Sequence, residues 1–254
     1  MLDPRFRLFA EELAELAGTV IRRYYRQPVQ IDEKSDATPV TQADREAESA
    51  MRELIERRFP EHGILGEEHG EVNAGAEWRW VLDPVDGTKS FVLGIPMFVT
   101  LIALEHRGQP VLGVVDQPIL RERVIGDGTE TRLNGAPIRV RACPALANAY
   151  LLATDPLLVE KHFGTKGFDR LTHSVKCFRA IGDGYAYGLL AAGYADVVLD
   201  PIMNPWDVAA LIPVVRGAGG VITDWHGGDP VGKSSTVAAA PEIHAQVIAT
   251  LAGA

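Results

Sequence analysis

The sequence predicts a layered fold of helices and β-sheets, and three stretches with different apolar patterns point to it. Residues 4–58 carry apolar side chains at helical spacing, residues 78–125 read as consecutive strands, and residues after 150 alternate between strands and helices. Consecutive strands favour an antiparallel sheet of the α+β type. We predict one compact unit, with an N-terminal α+β subdomain over residues 1–145 and a C-terminal α/β subdomain over residues 146–254.

Two amphipathic helices are predicted near the N-terminus. The first covers residues 4–26, where apolar residues recur every three or four positions and Asp3 can act as the N-cap. A polar loop or irregular hairpin follows. The second helix covers residues 41–58, and its Thr41-x-x-Asp44 pattern fits a capping box with Asp in place of Glu.

The rest of the chain reads as short strands and further helices. Strands are predicted over residues 78–82, 98–104, 111–116, 123–125, 150–153, 195–199, 220–223 and 236–240. Asn134-Gly135 predicts a hairpin between two more strands. Helices are predicted over residues 182–192, 204–216 and 241–251.

Charge and composition exclude several classes of function. With 25 basic and 34 acidic residues the net charge is −9, which repels nucleic acid and anionic membranes. No apolar run approaches the ~20 residues needed to span a bilayer. Cys143 and Cys177 form neither a metal-ligand spacing nor a disulfide framework, which indicates a reducing, cytoplasmic environment. A small phosphorylated molecule can still be a ligand, because bound metal ions outweigh the repulsion from the protein's net negative charge.

The segment Asp83-Pro84-Val85-Asp86-Gly87-Thr88 carries the strongest signal for chemistry. It follows a predicted strand, and residues that bind or react often lie in such connecting segments. Pro84 favours an extended Asp83, and Gly87 permits a tight turn or a close approach to a ligand. The two carboxylates can therefore converge on one or two hard cations, and Thr88 can orient a water. A plain turn rich in Asp, Gly and Pro is the alternative.

The spacing of these two aspartates argues against a covalent intermediate. Phosphotransferases that form an aspartyl-phosphate use Asp-x-Asp-Gly-Thr near the N-terminus. Asp83 and Asp86 are instead separated by two residues and lie a third of the way along the chain. Asp83 is therefore disfavoured as a nucleophile.

Three further stretches can complete an acidic site. Glu67 and Glu68 follow a turn and offer oxygen ligands, although acidic turns are common without a ligand. Asp207 is expected at the third position of a helix, where the helix dipole alone would favour an acid. Thr41 and Asp44 are explained by capping, yet Thr41 can also offer its hydroxyl to a catalytic water.

Oxygen donors without a set of His and Cys residues point to Mg²⁺ or Mn²⁺ rather than Zn²⁺. His62 and His69 lie close to Glu67 in sequence. We expect both histidines to be surface residues, because a lone His makes no metal site.

Taken in order, these stretches resemble the inositol monophosphatase family. The resemblance spans residues ~5–250, and it rests on Lys34…Thr41-Gln-Ala-Asp44, Gly66-Glu67-Glu68, Asp83-Pro-Val-Asp86-Gly-Thr88, Trp206-Asp207-x-Ala209-Ala210 and Gly217-Ala-Gly-Gly-Val-x-Thr223-Asp224. It implies a layered α/β/α/β/α fold, a Mg²⁺-dependent phosphomonoesterase and a homodimer. Val85 replaces the usual isoleucine, and Gly184 replaces a residue that is often Cys or Ala.

The resemblance also implies roles for individual residues. Glu67, Asp83 and the Val85 carbonyl would hold a first Mg²⁺, and Asp83, Asp86 and Asp207 would hold a second. A third, weaker ion near Glu67 is compatible with the pattern, and so is Mn²⁺. Gly87 and Thr88 would contact phosphate. The water would be positioned by Thr41, Asp44 and Glu68, and the rest of the substrate would be met by Lys89, Arg179, Asp183 and Asp200.

Within that family the chain is most similar to bacterial histidinol-phosphate phosphatases. Lys89-Ser90-Phe91 stands where inositol-type members usually have Thr-Asn, and the stretch 182–188 also matches. We therefore expect hydrolysis of L-histidinol phosphate to L-histidinol, a step of histidine biosynthesis, by a metal-activated water. Asp183 and Asp200 could pair with the substrate's ammonium and imidazole, although Asp183 could equally cap a helix.

Two other functions remain compatible with the sequence. One is an inositol-1-phosphate or broad sugar-phosphate phosphatase that uses the same site. The other is a non-catalytic metal-binding member of the fold, against which the intact acidic set argues. A nucleotide-binding module is disfavoured, since no glycine-rich phosphate loop follows a strand.

Overall fold

The helices and strands of this protein follow one another in the order that the sequence predicts, with several additions. The computed structural model describes residues 2–28, 31–33 and 39–253; Lys34, part of the first motif of the resemblance, lies outside them. The helices are α1 (Pro4–Tyr24), α2 (Gln42–Arg58), α3 (Thr88–Val92), α4 (Pro156–Phe163), α5 (Thr165–Ser174), α6 (Asp183–Ala191), α7 (Pro205–Ala209), α8 (Leu211–Gly217) and α9 (Pro241–Ala252).

The described strands form a hairpin, one large sheet and one smaller sheet. The hairpin pairs β1 (Ile31–Glu33) with β2 (Pro39–Thr41). The large sheet has the order β10-β9-β8-β7-β6-β5-β3-β4, and its pairs are antiparallel except for the β3–β5 pair. Its strands are β3 (Gly63–Gly66), β4 (Gly70–Val72), β5 (Trp78–Asp86), β6 (Val99–His106), β7 (Gln109–Gln117), β8 (Glu122–Gly126), β9 (Thr131–Leu133) and β10 (Ala136–Ile138).

The smaller sheet mixes parallel and antiparallel pairs. Its order is β12-β11-β13-β15-β14, with β11 parallel to both of its neighbours. Its strands are β11 (Tyr150–Ala153), β12 (Cys177–Arg179), β13 (Val197–Asp200), β14 (Val221–Thr223) and β15 (Thr236–Ala239). The two sheets thus take their strands from the two halves of the chain, while a division into subdomains at residue 145 stays a prediction.

Alternation of side chains along the strands divides the core into layers. On one face of the large sheet, Trp80 packs against α1 and α2. On the opposite face, Val81 packs against the layer formed by α6, α7 and α8. Val198 of the smaller sheet contacts that same layer, whereas Leu151 faces α4, α5 and α9 on the far side. The result is the predicted α/β/α/β/α arrangement, which is confirmed.

The N-terminal helices begin as the sequence predicts. The Asp3 side chain accepts a hydrogen bond from the backbone N–H of Arg5 at the start of α1. Thr41 and Asp44 form the capping box of α2, in which the Asp44 carboxylate accepts from the Thr41 N–H at 2.9 Å. Both helices then bury their apolar stripe against the sheet, as amphipathic helices do.

The helix predicted over residues 204–216 is instead two short helices that meet at Ala210. Pro213 accounts for the break, because a proline has no N–H to donate to the Ala209 carbonyl four residues earlier. The Ala210 carbonyl also lies against Gly113 of β7, where any Cβ would collide with it. The break therefore lets this chain segment approach the sheet closely.

Some elements were not predicted, and one expectation about a histidine is wrong. The strands β3, β4 and β12 and the helices α3, α4 and α5 were not predicted from the sequence. His62 is not a surface residue: it is buried, and its Nδ1 accepts a hydrogen bond from the Trp80 indole at 3.1 Å. His69 is exposed, as expected.

Among the described helices, none has the length and apolar character needed to cross a bilayer.

Candidate metal and substrate site

Three aspartates from two parts of the chain meet at the junction of the two sheets. Asp83 and Asp86 lie at the end of β5, and Asp207 lies in α7. One carboxylate oxygen from each of the three lies within 4.8 Å of the other two. These residues were expected at one site from the sequence, and the fold brings them together.

The end of β5 is shaped by a local bulge in the strand. The strand continues past Asp83, where the predicted strand ended, and its register to β6 shifts between Asp83 and Asp86. The Asp83 carboxylate accepts a hydrogen bond from the Val85 N–H at 3.0 Å, and the Thr88 hydroxyl donates to the Val85 carbonyl at 3.0 Å. Gly87 follows with a φ of 88°, a left-handed conformation that glycine adopts at no steric cost.

Asp207 is held by the start of its own helix. It is the third residue of α7, after Pro205, and its carboxylate accepts a hydrogen bond from the Asn204 N–H at 2.7 Å. The capping interpretation and the metal-site interpretation are therefore both compatible with its position. Capping fixes the side chain, and the fixed side chain lies next to Asp83 and Asp86.

Burial and mutual repulsion make these carboxylates costly to ionise without a cation. Burial, followed by the charges of Glu67, Asp86 and Asp207, raises the pKa of Asp83 well above its usual value. Burial and then the charges of Asp183 and Asp207 do the same for the pKa of Asp86. Burial raises the pKa of Asp207 to about 7. An all-oxygen donor set with this much uncompensated charge fits a hard divalent cation.

A cavity of about 310 Å³ opens beside the aspartates. Ten of the residues singled out in the sequence line it: Glu67, Asp83, Val85, Asp86, Gly87, Thr88, Lys89, Asp183, Asp200 and Asp207. Arg179 is not among the lining residues; its side chain is exposed, and a guanidinium N–H donates to the Phe178 carbonyl at 2.8 Å. Thr41, Asp44 and Glu68 are also not among them.

Thr41 and Asp44 lie at the start of α2, outside the cavity lining but within electrostatic reach of Glu67 and Glu68. Both are buried, and the Asp44 carboxylate accepts from the Thr41 hydroxyl as well as from its N–H. Burial, opposed by those hydrogen bonds and reinforced by the charges of Glu68 and Glu67, raises the pKa of Asp44 to about 6. Asp44 is thus electrostatically part of the acidic site.

Glu48 holds the turn that presents Glu67, and the sequence analysis did not single it out. Its side chain is fully buried and accepts hydrogen bonds from the N–H groups of Glu68 at 2.8 Å and His69 at 3.1 Å. Arg52 balances its charge at 2.7 Å. The available signal was its helical spacing, since Glu48 is one turn after Asp44 on the same face of α2.

Asp183 lines the cavity in an unusual backbone conformation. Its φ is 53°, and α6 shows no side-chain cap, so capping does not explain this residue. Burial raises the pKa of Asp183 to about 6, while the positive charge of Lys89 opposes the rise. The next residue, Gly184, donates its N–H to the Asp86 carboxylate, and a Cβ there would lie 2.7 Å from that carboxylate. The start of α6 is therefore joined to the aspartate cluster.

The cavity is completed by Ser90, from the stretch Lys89-Ser90-Phe91, and by residues for which the sequence predicted no place in the site. The latter are Thr154, Asp155, Leu158 and the segment 201–204. Thr154 and Asp155 follow β11, whose place beside β13 depends on pairing between residues 46 positions apart. No local pattern could have indicated that proximity.

A larger cavity of about 540 Å³ lies elsewhere, between α1 and the strands β7 to β9. Arg22, Arg123 and Arg132 are among its lining residues, and each is paired with an acid: Glu15, Asp116 and Glu130 respectively. Its charges are therefore largely balanced within the protein. The smaller cavity, with its clustered carboxylates, is the better candidate for chemistry.

Comparisons with known proteins agree with this geometry. Residues 4–254 match the model of the inositol monophosphatase family. The bifunctional phosphatase IMPL2, chloroplastic, of Arabidopsis thaliana is 45% identical over 260 residues, which cover 97% of this chain and 75% of that protein. A histidinol-phosphatase of Chlorobaculum parvum is 40% identical over 220 residues, or 86% of this chain and 85% of that protein. An inositol monophosphatase structure from Zymomonas mobilis superposes with a TM-score of 0.87 at 40% identity, covering 96% of both chains.

Proposed function

Since the chain belongs to the inositol monophosphatase family and is a metal-dependent phosphomonoesterase, we propose that it hydrolyses L-histidinol phosphate to L-histidinol and phosphate. A small phosphate ester is the substrate class of this family. The proposal concerns which ester is preferred, the identity of the metal as Mg²⁺, with Mn²⁺ as a substitute, and the roles of individual residues.

The observation that carries the substrate proposal is the acidic character of the cavity lining beyond the three clustered aspartates. Asp155, Asp183 and Asp200 also line the cavity, and Lys89 is the one basic residue among the described lining residues. Histidinol phosphate carries an ammonium group and an imidazole, which an acidic wall attracts. A neutral cyclitol can donate its hydroxyls to the same carboxylates, but it has no net charge for them to attract. The name of the Chlorobaculum relative supports the same choice.

The proposed metal ligands are the residues that the fold brings together at the end of β5. Glu67, Asp83 and the Val85 carbonyl would hold one Mg²⁺, and Asp83, Asp86 and Asp207 would hold another, with a third ion near Glu67 compatible with the same acids. When bound, such ions neutralise phosphate charge, acidify a water and stabilise the leaving alkoxide.

The protein's own groups would position the reactants. The backbone at Gly87 and Thr88 faces the cavity and would bind phosphate oxygens, while the bond from Thr88 to the Val85 carbonyl fixes that turn. Thr41, Asp44 and Glu68 would position the attacking water and its neighbours. Lys89, Asp183 and Asp200 would contact the organic half of the ester. Attack in line at phosphorus then breaks the bond to the alcohol oxygen, with no phosphoenzyme.

The substrate proposal predicts a clear preference between two esters. In saturating Mg²⁺, we expect kcat/KM for L-histidinol phosphate to exceed that for inositol 1-phosphate at least tenfold, about the effect of one charge-assisted hydrogen bond. The measurement is initial-rate phosphate release over a range of each ester. Equal values, or a preference for inositol 1-phosphate or for sugar phosphates, would replace the proposal with the broad phosphatase. No release above background from any ester would favour a non-catalytic member of the fold.

Two further expectations stay predictions. The homodimer that the resemblance implies can be measured by light scattering on the purified protein. The cytoplasmic location also stays open, and the Arabidopsis relative carries the word chloroplastic in its name.

A further inference from the structure

A buried tyrosine of α6 contacts the cavity carboxylate Asp200 from behind. Tyr187 is fully buried, and its hydroxyl donates a hydrogen bond to Asp200 Oδ2 at 2.9 Å. Asp200 itself is only 4% exposed and lines the cavity. The hydroxyl of a fully buried tyrosine usually makes a hydrogen bond to a specific partner, because an unpaired buried hydroxyl destabilises the folded state.

The hydroxyl belongs to a chain of hydrogen bonds that ends at Asp200. Thr236 of β15, also fully buried, is hydrogen-bonded to the Tyr187 hydroxyl. When Asp200 is ionised it can only accept, so Tyr187 donates to it and the Thr236 hydroxyl, which also lies 2.9 Å from Met203 Sδ, is the donor to Tyr187. Three elements, α6, β13 and β15, thus combine to hold one carboxylate.

Thr154 holds the other oxygen of the same carboxylate. Its hydroxyl donates to Asp200 Oδ1 and accepts from the backbone N–H of Asp183 at 2.9 Å. The two acids on the substrate side of the cavity, Asp183 and Asp200, are therefore tied together through one hydroxyl. Neither Tyr187 nor Thr236 lines the cavity, so both act on it only through Asp200.

This arrangement fixes the direction in which Asp200 can accept further hydrogen bonds. A carboxylate has about four acceptor positions, and Tyr187 and Thr154 each occupy one, on different oxygens. A carboxylate locked from both sides loses little rotamer freedom when it meets a ligand, which strengthens binding. The remaining acceptor positions are those available to a group in the cavity.

We propose that Tyr187 is a positioning residue for substrate selection: it orients Asp200 toward the organic half of the phosphate ester. This inference rests on the proposed function for the identity of the ester. It assigns Tyr187 no contact with the phosphate, the metal ions or the water. Its loss therefore weakens binding of the organic half while the chemical step remains intact.

The test compares Tyr187→Phe with a matched control on the same helix. Tyr185 also donates its hydroxyl to a carboxylate, Glu122 at 2.9 Å, but neither residue lines the cavity. Tyr185→Phe therefore removes the same kind of bond two residues away. For both variants and wild type, kcat and KM for L-histidinol phosphate and the inhibition constant of inorganic phosphate are measured in saturating Mg²⁺.

We expect Tyr187→Phe to raise KM about tenfold, the loss expected for a hydrogen bond to a charged group. The kcat and the phosphate inhibition constant should stay within about twofold of wild type, and Tyr185→Phe should change none of the three. A change in kcat or in phosphate inhibition as large as that in KM would overturn the proposal, and so would an unchanged KM or an equal effect in Tyr185→Phe.

A second pair of variants keeps the test decisive if Tyr187→Phe does not fold. Thr154→Val removes the other donor to Asp200, and Thr154→Ser restores it. The rise in KM should appear in the first and not in the second; the same KM in both would contradict the proposal.

Wild-type turnover of histidinol phosphate separately tests the proposed function. If wild type prefers another ester, the variants are compared on that ester. A wrong substrate assignment can then be distinguished from a wrong role for Tyr187.

Discussion

Replacing Asp83 by asparagine is expected to lower kcat/KM for phosphate release at least about 1000-fold in saturating Mg²⁺. Asp83 is the most buried member of the aspartate cluster, and it is the one ligand proposed for both ions. The amide keeps the size of the side chain but removes its charge, so the cation loses its strongest shared donor. Asp86→Asn is expected to act in the same way, and rates are measured by phosphate release.

The folded state should tolerate these two changes. Burial and neighbouring acids disfavour a charged Asp83, so a neutral amide relieves repulsion in the metal-free protein. The melting temperature in EDTA should therefore be equal to or higher than that of wild type. Asp169→Asn, at an exposed position of α5, is the control and should retain full activity. Turnover near the wild-type rate in either cluster variant would refute the two-metal assignment.

Removing the metal from wild type is expected to abolish turnover reversibly and to lower thermal stability. A cation that binds only the folded state adds about 2.7 kcal/mol at about 100 times its Kd. For a chain of this length that corresponds to a rise in Tm of about 5–10 °C. Activity and Tm are measured in EDTA and after Mg²⁺ is restored in excess. Full activity in EDTA would contradict the account, and so would a Tm that is the same with and without Mg²⁺.

The metal-free protein should also lose stability as the pH rises. Burial raises the pKa of Asp200 and Asp207 to about 7 and that of Asp183 to about 6, whereas an unfolded Asp has a pKa of about 3.9. The native state therefore holds more protons than the unfolded state between about pH 4 and pH 7, and its free energy of unfolding falls through that window. Bound Mg²⁺ should remove most of this decline. Urea unfolding at pH 5 and pH 8, with and without Mg²⁺, measures this change in the free energy of unfolding.

Local chemistry was sufficient to predict the two pieces of chain at the centre of the site, and the resemblance supplied the expectation that they share metal ions. Pro84 and Gly87 indicated the turn that places Asp83 and Asp86 close together, and the helix start at Pro205 placed Asp207 at its third position. Both expectations depend on residues within a few positions of one another. The layered fold was also accessible, because the apolar period changes along the chain and the resemblance supplied the order of the layers.

Features that depend on distant parts of the chain were missed. Thr154 reaches Asp200 through the pairing of β11 with β13, and Tyr187 reaches it through the packing of α6 between the two sheets. Glu48 supports the turn at Glu67 across 20 residues. His62 was expected at the surface, but its burial depends on stacking with Phe59 and a hydrogen bond from Trp80. Of these residues, Glu48 alone had a local signal, its helical spacing from Asp44, and that spacing does not show which turn it supports.

The central claim, that the three aspartates bind divalent cations, is tested most directly by titrating Mn²⁺ into metal-free protein. Free Mn²⁺ is followed by electron paramagnetic resonance, with wild type, Asp83→Asn and Asp169→Asn measured side by side. The account predicts that wild type and Asp169→Asn bind Mn²⁺ alike, that excess Mg²⁺ displaces the ion, and that Asp83→Asn loses this binding. The same stoichiometry and affinity in Asp83→Asn as in wild type would contradict it.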